Sequence, residues 1–141
     1  MNPSKLPVAE PLFTGLVVRN AMHDGIATCP PTASLREIAD LLAQHRIHCA
    51  VVSEHPPGEE SSTVWGIVSD LDLMRGLGSP VPLTAGNLAA LDVVTVRPDD
   101  ELGHAAQLMA EHDVAHLIVA EDGAPVGILS TLDIAEAVAR T

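Results

Sequence analysis

Apolar and polar positions follow two periods along this chain, and each period occurs twice. Leu35, Ile38, Ala39 and Leu42 fall on one face at helical spacing, and Leu102, Ala105, Ala106 and Met109 repeat the pattern. Each predicted helix follows a short strand, residues 26–29 and 93–96, stopped by prolines at Pro30-Pro31 and at Pro98. Thr32 and Asp99 are placed to cap the helices. Beyond each helix, aliphatic runs at 49–53 and 117–120 predict a strand. Second runs at 64–68 and 125–129 complete a hairpin with it. The hairpin turn is tight in the second set, Glu121-Asp122-Gly123. In the first it is a swollen acidic stretch, 55–62, expected to be solvated and mobile. Helices at 70–77 and 131–140 close each set, and short helices at 16–22 and 83–89 precede them. Residues 1–14 carry three prolines and no apolar period, and read as an N-terminal arm.

The two sets are one sequence written twice. Residues 20–54 pair with 87–121 without a gap, and 65–76 pair with 126–137. Both copies arrive at the same motif: Gly66-Ile67-Val68-Ser69-Asp70-Leu71-Asp72 and Gly127-Ile128-Leu129-Ser130-Thr131-Leu132-Asp133. Repetition of this length sets the architecture before any single element does. The predicted fold is α/β (α+β), with two pseudo-two-fold-related β-α-β-β-α repeats, residues 15–78 and 79–141. Each repeat is a small sheet packed by helices. A repeat alone has too much surface for its core, so the two are expected to share one core.

Composition narrows the function. The 141 residues are 47% hydrophobic with one Phe and one Trp, so the core is aliphatic and lacks rings on which to stack bases. Seven basic residues against 19 acidic ones give a net charge of −12, with the cations scattered. Binding to a nucleic-acid backbone or an anionic membrane is disfavoured. No run is long enough to span a bilayer and the first residues have no signal-peptide character, which points to the cytoplasm. Cys29 and Cys49 sit in strand contexts without a Cys-x-x-Cys, and read as reduced, buried hydrophobes.

Ser followed three residues later by Asp at a helix start is a capping-box pattern. Ser69 and Ser130 would satisfy orphan amides, and Asp72 and Asp133 would sit at the positive end of the helix dipole. The repeated motif and element order resemble a tandem pair of CBS (cystathionine-β-synthase-type) domains, a Bateman module, over nearly the whole chain. The resemblance implies a stand-alone regulatory module rather than an enzyme. Its ligand would be an adenosyl compound (AMP, ADP, ATP or S-adenosylmethionine) held in clefts between the repeats, with occupancy signalled to a partner protein. No resident cofactor and no metal are implied. By position, one cleft takes Ala27, Ile47, His48 and Cys49 with Ala115, Ile128, Ser130, Thr131 and Asp133. The other takes Val94, Val114, Ala115 and His116 with His48, Ile67, Ser69 and Asp72. In this reading the Asp carboxylates accept a ribose diol, Ile67 and Ile128 sandwich adenine, backbone near Ile47 and Val114 reads its edge, and the Ser hydroxyls and helix-terminal amides face a phosphate.

Asp70 departs from this scheme, because it adds a carboxylate where phosphate would sit. That ranks the Ser130/Asp133 cleft, with neutral Thr131, above the Ser69/Asp72 cleft. Arg75 is the nearby cation available to offset Asp70. With so few cations, AMP, adenosine or S-adenosylmethionine suits the clefts better than a triphosphate. His45, His48, Cys49, His112 and His116 raise a metal alternative, although their spacing matches no established zinc pattern. Nothing in the sequence composes a nucleophile elbow or a phosphate-cradling loop. The leading expectation is a homodimer through the helices after each Ser-x-x-Asp, with Leu71, Leu73, Met74, Leu132, Ile134 and Val138 on the buried face. The rival expectation is a ligand-free structural interaction domain.

Overall fold

The computed structural model describes residues 15–54 and 66–141, so the arm at 1–14 and the acidic connection at 55–62 lie outside the described residues. In chain order the elements are a 3-10 turn (Val18–Asn20), β1 (His23–Asp24), β2 (Thr28–Cys29), α1 (Leu35–His45), β3 (Cys49–Val52), β4 (Gly66–Ser69), α2 (Asp70–Leu77), α3 (Ala85–Leu88), β5 (Thr95–Val96), α4 (Leu102–His112), β6 (His116–Glu121), β7 (Ala124–Ser130) and α5 (Thr131–Ala139). Each repeat is therefore β-α-β-β-α, as expected. The first contributes a three-stranded sheet of order β2-β3-β4, and three strands of the second with β1 of the first make a four-stranded sheet of order β1-β7-β6-β5. In both, the first strand runs parallel to the next, with a helix as crossover, and a hairpin follows. The Asp122-Gly123 turn has positive φ at both residues, 53° and 78°, the backbone that a tight two-residue hairpin needs.

Local chemistry explains where the helices start and stop. The Pro30-Pro31 turn is closed by Ala33 N–H donating to Pro30 O at 3.0 Å, which delays helix entry. The cap of α1 is consequently Ser34, not Thr32, in a reciprocal box with Glu37. In the second repeat the Asp100 carboxylate accepts from Arg97 N–H at 2.8 Å, and α4 begins after Glu101, not Asp99. Arg46 and Asp113 end these helices in the left-handed region. The helix expected at 16–22 shrinks to the 3-10 turn Val18–Asn20, and the one at 83–89 to Ala85–Leu88. The reason is tertiary, because residues just beyond each must extend to pair with a sheet.

Those short segments exchange partners. Leading the first copy, Val18 donates to Asp100 O at 2.8 Å, Leu102 donates back to Leu16 O, and β1 pairs antiparallel with β7 of the second copy (His23↔Ile128). Leading the second copy, Ala85 donates to Ala33 O at 2.9 Å, and Ala90 exchanges both backbone bonds with Ile67 of the first. The single shared core expected from size is accordingly two cores. One gathers Cys29, Ala33, Ile38, Leu42, Ala50, Val52, Val68 and Leu73 with Ala85; the other gathers Val96, Leu102, Ala105, Met109, Leu117, Val119 and Leu129 with Val18. Each is completed by a residue from the other copy's leading segment.

This exchange accounts for the glycine of the repeated motif. A Cβ at Gly66 would sit 2.6 Å from Ala90 O, and one at Gly127 would sit 2.5 Å from His23 O. Only a residue without Cβ lets the borrowed strand lie flat on the hairpin. Strand alternation then sends Cys49, Val51 and Ile118, buried yet in neither core, to the sheet faces opposite the helices.

Candidate functional site

Ser69 and Ser130 cap α2 and α5 as expected. The Ser130 amide donates to Asp133 Oδ2 at 2.8 Å while the Asp133 amide donates to Ser130 Oγ at 3.1 Å; Ser69 and Asp72 do the same at 2.8 Å and 3.1 Å. The Ser69 hydroxyl also donates to Asp72 Oδ2 at 2.9 Å. In each box Oδ2 serves the cap, so Oδ1 is the oxygen left for other partners. Asp133 is buried, at 3% exposure, and Asp72 nearly so, at 18%.

Charges from both motifs act on the same side chains. The Cys49 thiol, on the first sheet, is pushed up to about 12 by burial and then by the charges of Asp70 and Asp133, one from each repeat. His116, on the second sheet, has its pKa lowered by burial, against the opposing pull of Asp70, Asp133 and Asp72 and with the help of His48. Ala27, Ile67, Ile128, Ser69, Asp72, Ser130 and His116 are half-buried, whereas His48, Ala115 and Thr131 are exposed. Cys29 and Cys49 are free and buried, and burial raises the Cys29 thiol as well.

Several expected roles change. Asp70 is not a lone charge: its Oδ2 lies 2.8 Å from His48 Nδ1, and that hydrogen bond above all lowers its pKa. Arg75 contacts Asp72, at 3.3 Å, instead of Asp70. Asp70 thus stays an ionised carboxylate at the start of α2. The amides at the start of α2 are all engaged, Asp70 with His48 O, Leu71 with Asp70 Oδ1 and Asp72 with Ser69 Oγ, and Thr131 donates to Ala115 O. They do not form an open phosphate cradle. The amides of Ile47 and Val114 close the ends of α1 and α4 on Leu42 O and Met109 O. The side chains of Ile47, Val94 and Val114 pack against the cores. Among the described residues no group of three or more His, Cys, Asp and Glu is gathered to hold a metal, because the turns after α1 and α4 separate His45 and His112 from the seam.

Sequence reasoning missed one residue here. His23 Nε2 lies 2.7 Å from Asp133 Oδ1, although the His23 side chain is itself 76% exposed. No local pattern links the two, since His23 reaches Asp133 only through the β1–β7 pairing.

The CBS domain model matches residues 18–79 and 85–140, one match per repeat. This chain belongs to the CBS domain family. The CBS pair is 26% identical over 123 residues to the CBS domain-containing protein YhcV of Bacillus subtilis, covering 84% of this chain and 82% of that one. It is 30% identical over 118 residues to a homoserine O-acetyltransferase of Methanohalophilus mahii, covering 82% of this chain. The chain spans about a quarter of the length of such acetyltransferase relatives, 23% in that case. Among solved structures, the CBS domain pair of protein MJ0100 in complex with 5′-methylthioadenosine and S-adenosyl-L-methionine superposes with a TM-score of 0.77 at 22% identity, over 88% of this chain and 96% of that one. CBSX2 in complex with AMP gives 0.72 at 23% identity, over 89% and 98%. Both likenesses show the fold. Among the described residues no helix is long and apolar enough to cross a membrane.

Proposed function

We propose that this CBS pair is a regulatory module that binds an adenosyl ligand in the seam between its repeats and passes the occupancy to a partner protein, without catalysing a reaction itself. The observation that carries this is that charges of both motifs act on Cys49 and His116, and that each motif brings an Asp whose Oδ2 is used in the cap while Oδ1 lies outside it. A vicinal diol matches a carboxylate of that kind, because two hydroxyl donors meet an acceptor already fixed in direction. That MJ0100 was solved with S-adenosyl-L-methionine and CBSX2 with AMP supports the ligand class. The engaged amides of α2 favour a ligand with little phosphate, such as AMP, adenosine or S-adenosylmethionine, over a triphosphate.

Calorimetric and thermal-shift titrations with AMP, ATP and S-adenosylmethionine test this reading. AMP or S-adenosylmethionine is expected to bind, and Asp72→Ala and Asp133→Ala are each expected to weaken one site about tenfold or more, the scale of a lost hydrogen bond to a charged group. Binding that survives both substitutions unchanged removes the diol assignment. One observation favours the rival of a ligand-free interaction domain: among the described residues no buried side-chain polar atom lacks a partner, so the seam is satisfied as it stands. That reading predicts no shift with any adenosyl compound.

The module is further proposed to pair with a second copy. Leu71 and Met74 on α2, and Leu132 on α5, are exposed, and Leu71 and Leu132 occupy equivalent places in the two repeats. Beside α5, an apolar groove of about 370 Å³ is lined by Ala106, Met109, Ala110, Val114, Ile134 and Ala135. Of the face expected from sequence, Leu73 and Ile134 are instead core residues and Val138 packs against the second core, because helical spacing turns them inward.

A further inference from the structure

The two Asp carboxylates are alike in their caps and unlike at their remaining oxygen. Asp133 Oδ1 lies 2.7 Å from His23 Nε2, a 76%-exposed imidazole delivered by β1 from the first copy onto β7 of the second. The residue equivalent to His23 in the other copy is Ala90, which makes the corresponding backbone pairing with Ile67 and has no side chain to reach Asp72. Among the described residues, Asp72 Oδ1 has only Arg75, from its own helix, at 3.3 Å with the guanidinium largely exposed. An exposed, single, long ion pair of that kind holds its partner weakly. The exposures agree, with Asp133 at 3% where Asp72 is at 18%.

We propose that His23 is a built-in competitor for the Asp133 carboxylate, which makes the two seam sites unequal. The inference rests on the diol-acceptor reading of Asp72 and Asp133. A diol approaching Asp133 must displace an imidazole standing 2.7 Å from the oxygen it needs and anchored on a paired strand, whereas a diol approaching Asp72 has only to turn aside a flexible guanidinium at 3.3 Å. The site at Ser69/Asp72 therefore fills first, and the site at Ser130/Asp133 fills when ligand is abundant. A pseudo-symmetric pair of sites becomes a graded one through a single histidine-for-alanine difference between the copies. Because His23 lies on the strand that ties the first copy's leading segment to the second sheet, its displacement also connects the second binding event to that segment.

Titration calorimetry with AMP and with S-adenosylmethionine on the full chain provides the test. Wild-type protein is expected to show two classes of site about two- to fivefold apart, the scale of one exposed ion-pair contact. Asp72→Ala should remove the tight class and Asp133→Ala the weak one. His23→Ala should tighten the weak class about two- to fivefold and leave the tight class unchanged. His23→Gln keeps a donor at similar reach and should retain the weak class. A merely structural role for His23 would lower thermal stability without moving one class alone. Two equal classes in wild type, or a weak class unchanged or further weakened by His23→Ala, overturns the inference while adenosyl binding stands. No heat with either ligand, in wild type and in His23→Ala, overturns the binding reading and the inference with it.

Discussion

His116 carries the clearest pH consequence of the seam. Burial lowers its pKa below the ordinary 6.5, although Asp70, Asp133 and Asp72 pull the other way. The unfolded chain therefore takes up the proton first, and stability falls as pH drops through 6.5 towards the folded value. Replacing it with an uncharged residue, His116→Gln, is expected to flatten this part of the stability profile, measured by denaturant unfolding between pH 7.5 and about 5. Asp70 acts in a lower window. Its pKa is depressed chiefly by the His48 hydrogen bond, so its stabilising contribution is present above the ordinary 3.8 and is lost as pH falls below that. An unchanged acid limb in His116→Gln would mean that the ring is hydrated in solution. The Ser-x-x-Asp residues themselves were legible, because a capping box is a contact between positions three apart in sequence. His23 was not, because its partner is brought to it by a strand pairing.

At the level of elements, the exchanged leading segments decide how the repeats fit. Each short helix and the extended residues after it dock on the hairpin of the other copy, over a glycine that leaves room for a carbonyl. Gly66→Ala and Gly127→Ala are each expected to destabilise the protein by ~1–3 kcal/mol, as overpacking against a rigid backbone does. At both positions the contact is backbone oxygen, 2.6 Å and 2.5 Å from the added carbon, so a rotamer change cannot relieve it. Gly123→Ala offers a contrast: nothing stands within 4 Å there, and the cost arises from its positive φ of 78° alone. Chemical denaturation of the three variants, with circular dichroism as the readout, checks this. Stabilities of Gly66→Ala and Gly127→Ala within about 0.5 kcal/mol of wild type would show that the borrowed strands dock loosely. Helices α2 and α5 were readable nearly to the residue because cap and apolar face are local. The 3-10 turn and β1 were not, since their conformations answer to a distant edge.

For the whole molecule, the exchange makes two cores that cannot be separated cleanly. Val18 belongs to the second core and Ala85 to the first, so cutting the chain between repeats would strip each core of a buried residue. In the proposed function, a ligand spanning the seam would act on a joint already interlaced, and stiffening it would be the route by which occupancy reaches a partner. The apolar stripe Leu71, Met74 and Leu77 on α2 and the groove beside α5 remain uncovered within one copy. Proposed self-association through these faces predicts a dimer by sedimentation at micromolar concentration. Met74→Glu and Leu132→Glu should shift the protein to monomer without loss of helix content, since both side chains are exposed in one copy. A monomeric wild type, or a dimer indifferent to both changes, would locate the contact elsewhere.

Periodicity, proline punctuation and the twice-written motif by themselves determined the order β-α-β-β-α, its repetition, the capped helices and the family. All of these are short-range patterns, and hydrogen bonds and apolar faces within a few residues enforce them. Tertiary structure alone decided which copy each leading segment completes, that there are two cores instead of one, and which partner holds the last oxygen of each carboxylate. Asp72 with Arg75, Asp70 with His48 and Asp133 with His23 are choices among several nearby charges. Arg75 lies one helical turn from Asp72, but the histidine partners of Asp70 and Asp133 follow from where backbones separated by many residues come to rest, which no local spacing records.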